Sequence, residues 1–291
     1  MRLLRVFALL LLPAGAQGQE RQPIAEHVVL ISIDGLRPDA ILKGPAPHMQ
    51  SLIREGAYAP KARTVQPSIS LPTHASMLTG LECRNHKILH NEYKPGCAAC
   101  PTIMSIAKDA GLTTAMLFAK DSFLFLVRPG SLDFLYANEP GKPGCDTSAK
   151  GIAKAFVDQW SDKKFKFTFV HIEEPDVVGH VNGWMSAPYL QAVVKADLAV
   201  GEIVAAIRKA GLWEKTAVIV TSGHGGSGVA HLDNTPENAT IPWICVGPRV
   251  RAGTTLTRVR ICDTAPTVLA LLALAPPRNV DGRFLVEILS R

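Results

Sequence analysis

His27-Val-Val-Leu-Ile-Ser-Ile-Asp-Gly35 is a β-rich apolar run that ends on an aspartate and a glycine. A run this apolar along its length reads as a parallel strand with both faces covered, feeding a loop at its carboxyl end. Outward from it the chain alternates. Strands are expected over 113–118, 165–172, 216–221 and 241–246. Helical apolar spacing covers 47–55, 71–78, 102–110, 148–160, 187–210 and 263–274. Strands alternating with helices specify an α/β fold, with a mainly parallel sheet flanked by helices on both faces. No internal repeat or low-complexity linker divides the chain, so 19–291 is read as one domain. The Gly- and Pro-rich stretch 129–144 is read as an excursion near the site.

Bulk properties narrow the setting. Of 291 residues, 47% are apolar and 19% charged, enough for a large core. Arg2 and Arg5 precede an apolar run over 6–12 and the small residues Ala14-Gly15-Ala16. That is the layout of a signal peptide, assigned to 1–18, so the protein is expected to be exported, periplasmic or secreted. No later segment is long and apolar enough to span a bilayer. The net charge of +6 includes no run of five basic residues, so nucleic-acid duplex binding is not expected. Six cysteines in an oxidising compartment make disulfides plausible, with a bridge in the region of Cys83 to Cys145 expected ahead of zinc or redox chemistry at Cys97 and Cys100.

Chemistry gathers where strands end, which is where open α/β sheets bind ligands. The first run gives Asp34, the run ending at Ile172 gives Asp176 and His180, and the run ending at Thr221 gives His224, with His231 beyond it. A lone aspartate after a strand is usually a turn residue, and a lone histidine a satisfied one. Three strand ends offering carboxylate and imidazole together point to a metal, zinc first and manganese or iron next. The glycines around His224 allow close backbone approach to an ion or phosphate. Ser70 opens a helix, near unpaired backbone donors that would welcome an anion. It is either an N-cap or a nucleophile whose alkoxide a metal stabilises. Gly-x-Ser-x-Gly is absent, which disfavours a serine-hydrolase triad.

Taken together these motifs resemble the alkaline phosphatase superfamily, in its type I phosphodiesterase and nucleotide pyrophosphatase branch. The resemblance runs from Val28 to about Leu285, through Ile31–Asp39, Pro67–Gly80, His86–Asn91, Glu174–His180, Ser222–Gly225 and Asp263–Leu269. It implies Ser70 as nucleophile, forming a phosphoserine, and Asn91 as a hydrogen-bond donor to a phosphoryl oxygen. It also implies two divalent ions, one on Asp176, His180 and His231 and the other on Asp34, Ser70 and His224, with Asp263 structural. The small phosphorylated substrate would be a phosphodiester, nucleotide pyrophosphate or monoester. Residues between Phe123 and Tyr136 and around Trp184 are candidates to line its pocket. Sulfatases share this fold but need a modified cysteine, and none lies near Ser70.

The sequence departs from that pattern at Gly223, where the resemblance leads one to expect a metal-binding aspartate. Asp233 is a nearby carboxylate that could replace it. Gly223 motivates the alternative of a catalytically impaired relative that binds a phosphorylated ligand. On that alternative, Gly223→Asp should raise metal content and rate. Thr73 and Lys87 are smaller departures, at positions where asparagine and glycine are usual.

Overall fold

The computed structural model describes residues 22–92, 100–139 and 141–290. The signal peptide assigned to 1–18 and Cys97 lie outside them. Eight strands form one sheet: β1 His27–Ile33, β2 Ala57–Arg63, β3 Thr114–Leu117, β4 Phe134–Tyr136, β5 Phe167–Ile172, β6 Thr216–Thr221, β7 Thr240–Val246 and β8 Thr254–Thr255. Their order is β4-β3-β5-β1-β6-β7-β2-β8. Five of the seven pairings are parallel; β7 runs antiparallel to both β6 and β2.

Ten α-helices accompany the sheet among the described residues: α1 Pro38–Lys43, α2 Pro47–Glu55, α3 Ser70–Thr79, α4 Cys83–His86, α5 Ile103–Asp109, α6 Ala149–Asp162, α7 Glu174–Asn182, α8 Ala187–Lys209, α9 Pro236–Ala239 and α10 Thr264–Leu271. The alternation along β1 sorts them into two layers, as a period of two requires. Val28 and Leu30 pack with Met77, Ile103 and Val268 on one face. Val29, Ile31 and Ile33 pack with Leu52, Phe156 and Val200 on the other.

The consequence for function is an alignment. β3, β5, β1 and β6 are consecutive and parallel, so their carboxyl ends open on one edge of the sheet. Every strand end singled out in the sequence lies there, together with that of β3. The expected elements recur within a few residues, and β2, β4 and β8 are additions. Pro60 hides β2 from a sequence reading, since it cannot donate to a ladder. The sheet accommodates it where the pairing with β7 shifts register between Ala59 and Ala62. Among the described residues the expected disulfide is not found, Cys83, Cys100, Cys145, Cys245 and Cys262 being free thiols. No helix among the described residues is long and apolar enough to cross a membrane.

Candidate active site

Asp34 leaves β1 fully buried, its amide donating to the Ile172 carbonyl at 2.8 Å, so the ends of β1 and β5 are tied together. Two residues past Ile172, α7 begins and carries Asp176 and His180 one turn apart, with Asp176 Oδ1 3.5 Å from His180 Nε2. Beyond β6, His224 Nε2 lies 3.2 Å from Asp34 Oδ1 and 3.7 Å from Asp176 Oδ1. His231 stacks on His224 with ring centroids 3.7 Å apart.

Three histidines share one arrangement. His180 Nδ1 donates to the Val229 carbonyl at 2.9 Å, His224 Nδ1 to the Gly225 carbonyl at 2.8 Å and His231 Nδ1 to the Ser68 carbonyl at 2.5 Å. A carbonyl accepts only, so each ring keeps its hydrogen on Nδ1 and turns the lone pair of Nε2 inward. The Nε2 atoms of His180 and His231 stand 3.1 Å apart, and His231 Nε2 is 3.7 Å from Asp176 Oδ1. That carboxylate oxygen is buried and has no hydrogen-bond donor. Lone pairs and an unmet anion converging at these separations fit a cation about 2 Å from each. The Asp176, His180 and His231 set therefore fits a divalent ion. Burial drops the His231 imidazole to about 4, with His224 beside it adding to the effect, so it stays neutral and available as a ligand.

Asp34, His74 and His171 also cluster. His74 is no free ligand, because Nδ1 meets the Ser70 carbonyl at 2.7 Å and Nε2 the Ser32 hydroxyl at 2.7 Å. Burial holds His74 at about 3 and pulls His171 down as well, so both are neutral packing around Asp34.

The residue the sequence reading missed is Lys120. It stands three residues beyond β3, and its ammonium donates to Asp34 Oδ2 at 2.8 Å, Asp176 Oδ2 at 2.6 Å and Ser70 Oγ at 2.7 Å. Burial alone would lower its pKa, but the two carboxylates outweigh that and raise it, so it is charged. Asp34 is driven well below the usual carboxylate range: burial pushes it up, and Lys120 followed by His224 more than reverses that. In the sequence Lys120 is a lone lysine shortly after an expected strand, and only the pairing of β3 with β5 brings it to this edge.

Ser70 begins α3, with Oγ 3.3 Å from His224 Nε2. The helix amides beside it are committed. Leu71 N donates to Asn91 Oδ1 at 2.8 Å, Pro72 has no N–H, and Thr73 N donates to the Ile69 carbonyl. The amides of Leu71 and Thr73 are therefore unavailable to an anion at Ser70, contrary to the expectation of free helix donors there. Thr73 Oγ1 turns back to the Ser70 carbonyl. Asn91, its oxygen used by Leu71, keeps its Nδ2 hydrogens for another acceptor.

The expected second ion fares differently from the first. Asp34 Oδ1, His224 Nε2 and Ser70 Oγ are near one another, but Lys120 already bonds Asp34 and Ser70. A dication on Ser70 Oγ would have to share that atom with the ammonium, whereas Lys120 bonds none of the first set's ligand atoms, touching Asp176 only through Oδ2. With Lys120 in place the second set does not fit a metal. A side chain at 223 has no room either, since a Cβ there would stand 2.5 Å from His74 Cε1, 2.8 Å from Thr73 Oγ1 and 2.9 Å from Asp34 Oδ1. Asp233 is exposed in the next turn, its carbonyl accepting from Asn238 Nδ2. The neighbouring Gly226 serves packing, for a Cβ there would strike Trp184 Cε2 at 2.0 Å. Trp184 buttresses the His180 and His231 rings at 5.1 and 5.8 Å and donates to the Gly35 carbonyl.

Beside Asn91 an open cleft of about 600 Å³ is walled by Leu124, Val127, Pro129 and Leu135, with Asp121 and Glu139 at its polar side. Asp263 lies away from these groups, its carboxylate accepting from the amides of Arg260 and Arg283.

The family model described as type I phosphodiesterase / nucleotide pyrophosphatase matches residues 28–243. The chain belongs to that family. It is similar to the bis(5'-adenosyl)-triphosphatase of Mus musculus, 28% identical over 229 residues, covering 74% of this chain and 50% of the relative. A 2,3-bisphosphoglycerate-independent phosphoglycerate mutase of Roseobacter denitrificans is 32% identical over 148 residues, covering 49% of this chain and 28% of the relative. The chain spans about half the length of the murine triphosphatase and 28% of the mutase. An inactive variant of murine ectonucleotide pyrophosphatase/phosphodiesterase 5, solved with AMP, superposes with a TM-score of 0.74 at 16% identity, over 91% of this chain and all of that one. A 2-O GAG sulfatase superposes at 0.72 and 15% identity, covering 91% of this chain and 74% of its own. The phosphodiesterase and the sulfatase therefore share one fold with this chain.

Proposed function

We propose that this chain is an exported, metal-dependent hydrolase of phosphate esters acting through a phosphoserine on Ser70. The observation that carries the reading is the His180, His231 and Asp176 cluster: two inward lone pairs 3.1 Å apart beside a buried carboxylate oxygen without a donor. Zinc suits one oxygen and two nitrogens, with manganese or iron as alternatives. Bound there, the ion would supply Lewis-acid polarisation of the phosphoryl group and neutralise its developing charge. The basic start and apolar run of residues 1–18 support export.

The chain's own residues do the rest. Ser70 Oγ attacks phosphorus while its proton passes to His224 Nε2, 3.3 Å away and held in the accepting tautomer by the Gly225 carbonyl. The bond from phosphorus to the ester oxygen breaks and the leaving oxygen takes the proton held on His224 Nε2, departing as the alcohol; water then attacks phosphorus, and its proton passes through His224 Nε2 to Ser70 Oγ as the P–Oγ bond breaks. Asn91 Nδ2 is placed to donate to a phosphoryl oxygen. The cleft beyond Asn91 offers an apolar wall for an ester substituent, which favours diesters such as nucleotide derivatives over bare monoesters. The family and the AMP-bound neighbour support a nucleotide-sized substrate.

The competing reading is a binder of a phosphorylated ligand, impaired because Gly223 supplies no carboxylate, and turnover separates the two. The test is turnover of nitrophenyl phosphate mono- and diesters by zinc-loaded protein against Ser70→Ala. A rate no higher than that variant on a broad ester panel would sink the enzyme reading and leave the binder.

A further inference from the structure

We propose that the Lys120 ammonium is itself the second cation of this site, so that the protein works with one divalent ion and one lysine. The inference rests on the hydrolase reading for its chemistry, and on geometry for everything else.

Lys120 is placed as a bridging cation would be. It touches the nucleophile and both carboxylates at 2.7, 2.8 and 2.6 Å. It takes the Oδ2 atom of each aspartate and leaves the two Oδ1 atoms to face the histidine lone pairs. Each carboxylate is thereby divided between a fixed positive charge on one side and the metal-fitting cluster on the other.

Charge balance reaches the same place. Among the groups in direct contact, two carboxylates and one ammonium leave an excess of one negative charge, and partly buried Glu173 adds its field from the margin of the cluster. One divalent ion turns that into a single positive charge, suited to a phosphoryl anion. Two would leave three positive charges in a buried site, which is costly.

The space at Gly223 is closed to a side chain. The volume a side chain there would need is filled by His74 and Thr73. His74 cannot swing aside freely, being held at both nitrogens by the Ser70 carbonyl and the Ser32 hydroxyl. The closed space at Gly223 and the ammonium at Ser70 thus belong to one site that leaves no place for a further carboxylate. Lys120 touches the reacting oxygen and is a catalytic residue: it stabilises the Ser70 alkoxide as the O–P bond forms, and keeps its own proton throughout.

The test is zinc stoichiometry by elemental analysis after saturation and desalting, on wild type, Lys120→Met and His231→Ala, with inorganic phosphate binding and ester turnover measured on each. The methionine keeps the chain length and removes the charge. Wild type should hold about one ion per chain and His231→Ala essentially none. Lys120→Met should keep its ion, bind phosphate about tenfold or more weakly, and lose about 10²–10³ in kcat. Two ions per wild-type chain, or a Lys120→Met variant with unchanged phosphate affinity and rate, overturns the proposal. If Lys120→Met does not fold, as judged by circular dichroism, the wild-type stoichiometry decides alone. If wild type shows no turnover above Ser70→Ala, the hydrolase reading fails, and stoichiometry with phosphate affinity still decides the role of Lys120.

Discussion

His180 and His231 point unprotonated nitrogens at each other across 3.1 Å, each ring fixed by a backbone carbonyl at its other nitrogen. Two lone pairs at that distance repel unless a cation lies between them. Metal binding should therefore stabilise the fold as well as enable chemistry. Chelator-treated protein should melt at a lower temperature than zinc-loaded protein, by about 2.7 kcal/mol of stability when free zinc is a hundredfold above its Kd. His180→Ala should weaken zinc at least tenfold by calorimetry. A melting temperature indifferent to zinc would remove the site.

Asn91 joins two jobs that substitution can separate. Its oxygen accepts from Leu71 N at 2.8 Å, and its Nδ2 is the group available to substrate. Asn91→Asp keeps the acceptor and loses the donor, so stability should stay within about 0.5 kcal/mol while kcat/KM falls about 10²-fold. Asn91→Ala should lose about 1 kcal/mol as well, by stranding the Leu71 amide. Full turnover by Asn91→Asp would show that Nδ2 does not meet the phosphoryl group.

How much of this was legible beforehand depended on the length scale of each signal. The run from His27 to Ile33 and the later strand ends are local patterns, and they located Asp34, Asp176 and His224 on one edge of a parallel sheet. Lys120 was not legible because its meaning is three-dimensional. It follows a four-residue strand whose place beside β5 comes from non-local pairing, and a lone lysine after a strand is ordinarily a solvated turn residue. Reading Gly223 as a missing ligand rests on residue type alone and carries no information about the space around it. Whether that volume was open or filled turned on His74, which is contiguous with Ser70 in a helix and distant from residue 223 in sequence. Pro60 concealed β2 for a similar reason, since the bulge that tolerates it is a property of two strands.

The crowding at Gly223 makes the restoring substitution a discriminating one. On a simple missing-ligand view, Gly223→Asp should raise metal content and rate. Here the new Cβ meets His74, Thr73 and Asp34 at 2.5 to 2.9 Å, all of them buried. Gly223→Ala should cost about 1–3 kcal/mol in urea unfolding, the usual cost of overpacking. Gly223→Asp should cost more and gain no second ion. A stable Gly223→Asp protein with two ions and faster turnover would restore the missing-ligand account.

His86 gives a stability prediction away from the metal-fitting cluster. Its Nδ1 accepts from the Ile88 amide at 3.0 Å, its Nε2 meets the Ser76 hydroxyl at 2.9 Å, and burial lowers its pKa to about 4. The unfolded chain takes up a proton near pH 6.5, where the folded ring refuses it until about 4. The depressed folded value means that the unfolded state binds the extra proton inside that window, so stability falls as the pH drops through it. The slope is at most about 1.4 kcal/mol per pH unit for this one group. Below pH 4 the penalty stops growing, and above 6.5 it is absent. His74 and His231 pull in the same direction, so the measurement is a difference. His86→Gln should melt less steeply with falling pH than wild type between pH 7 and 5, both taken in chelator. Parallel curves would mean that His86 is protonated in the folded state and that its two hydrogen bonds are arranged otherwise.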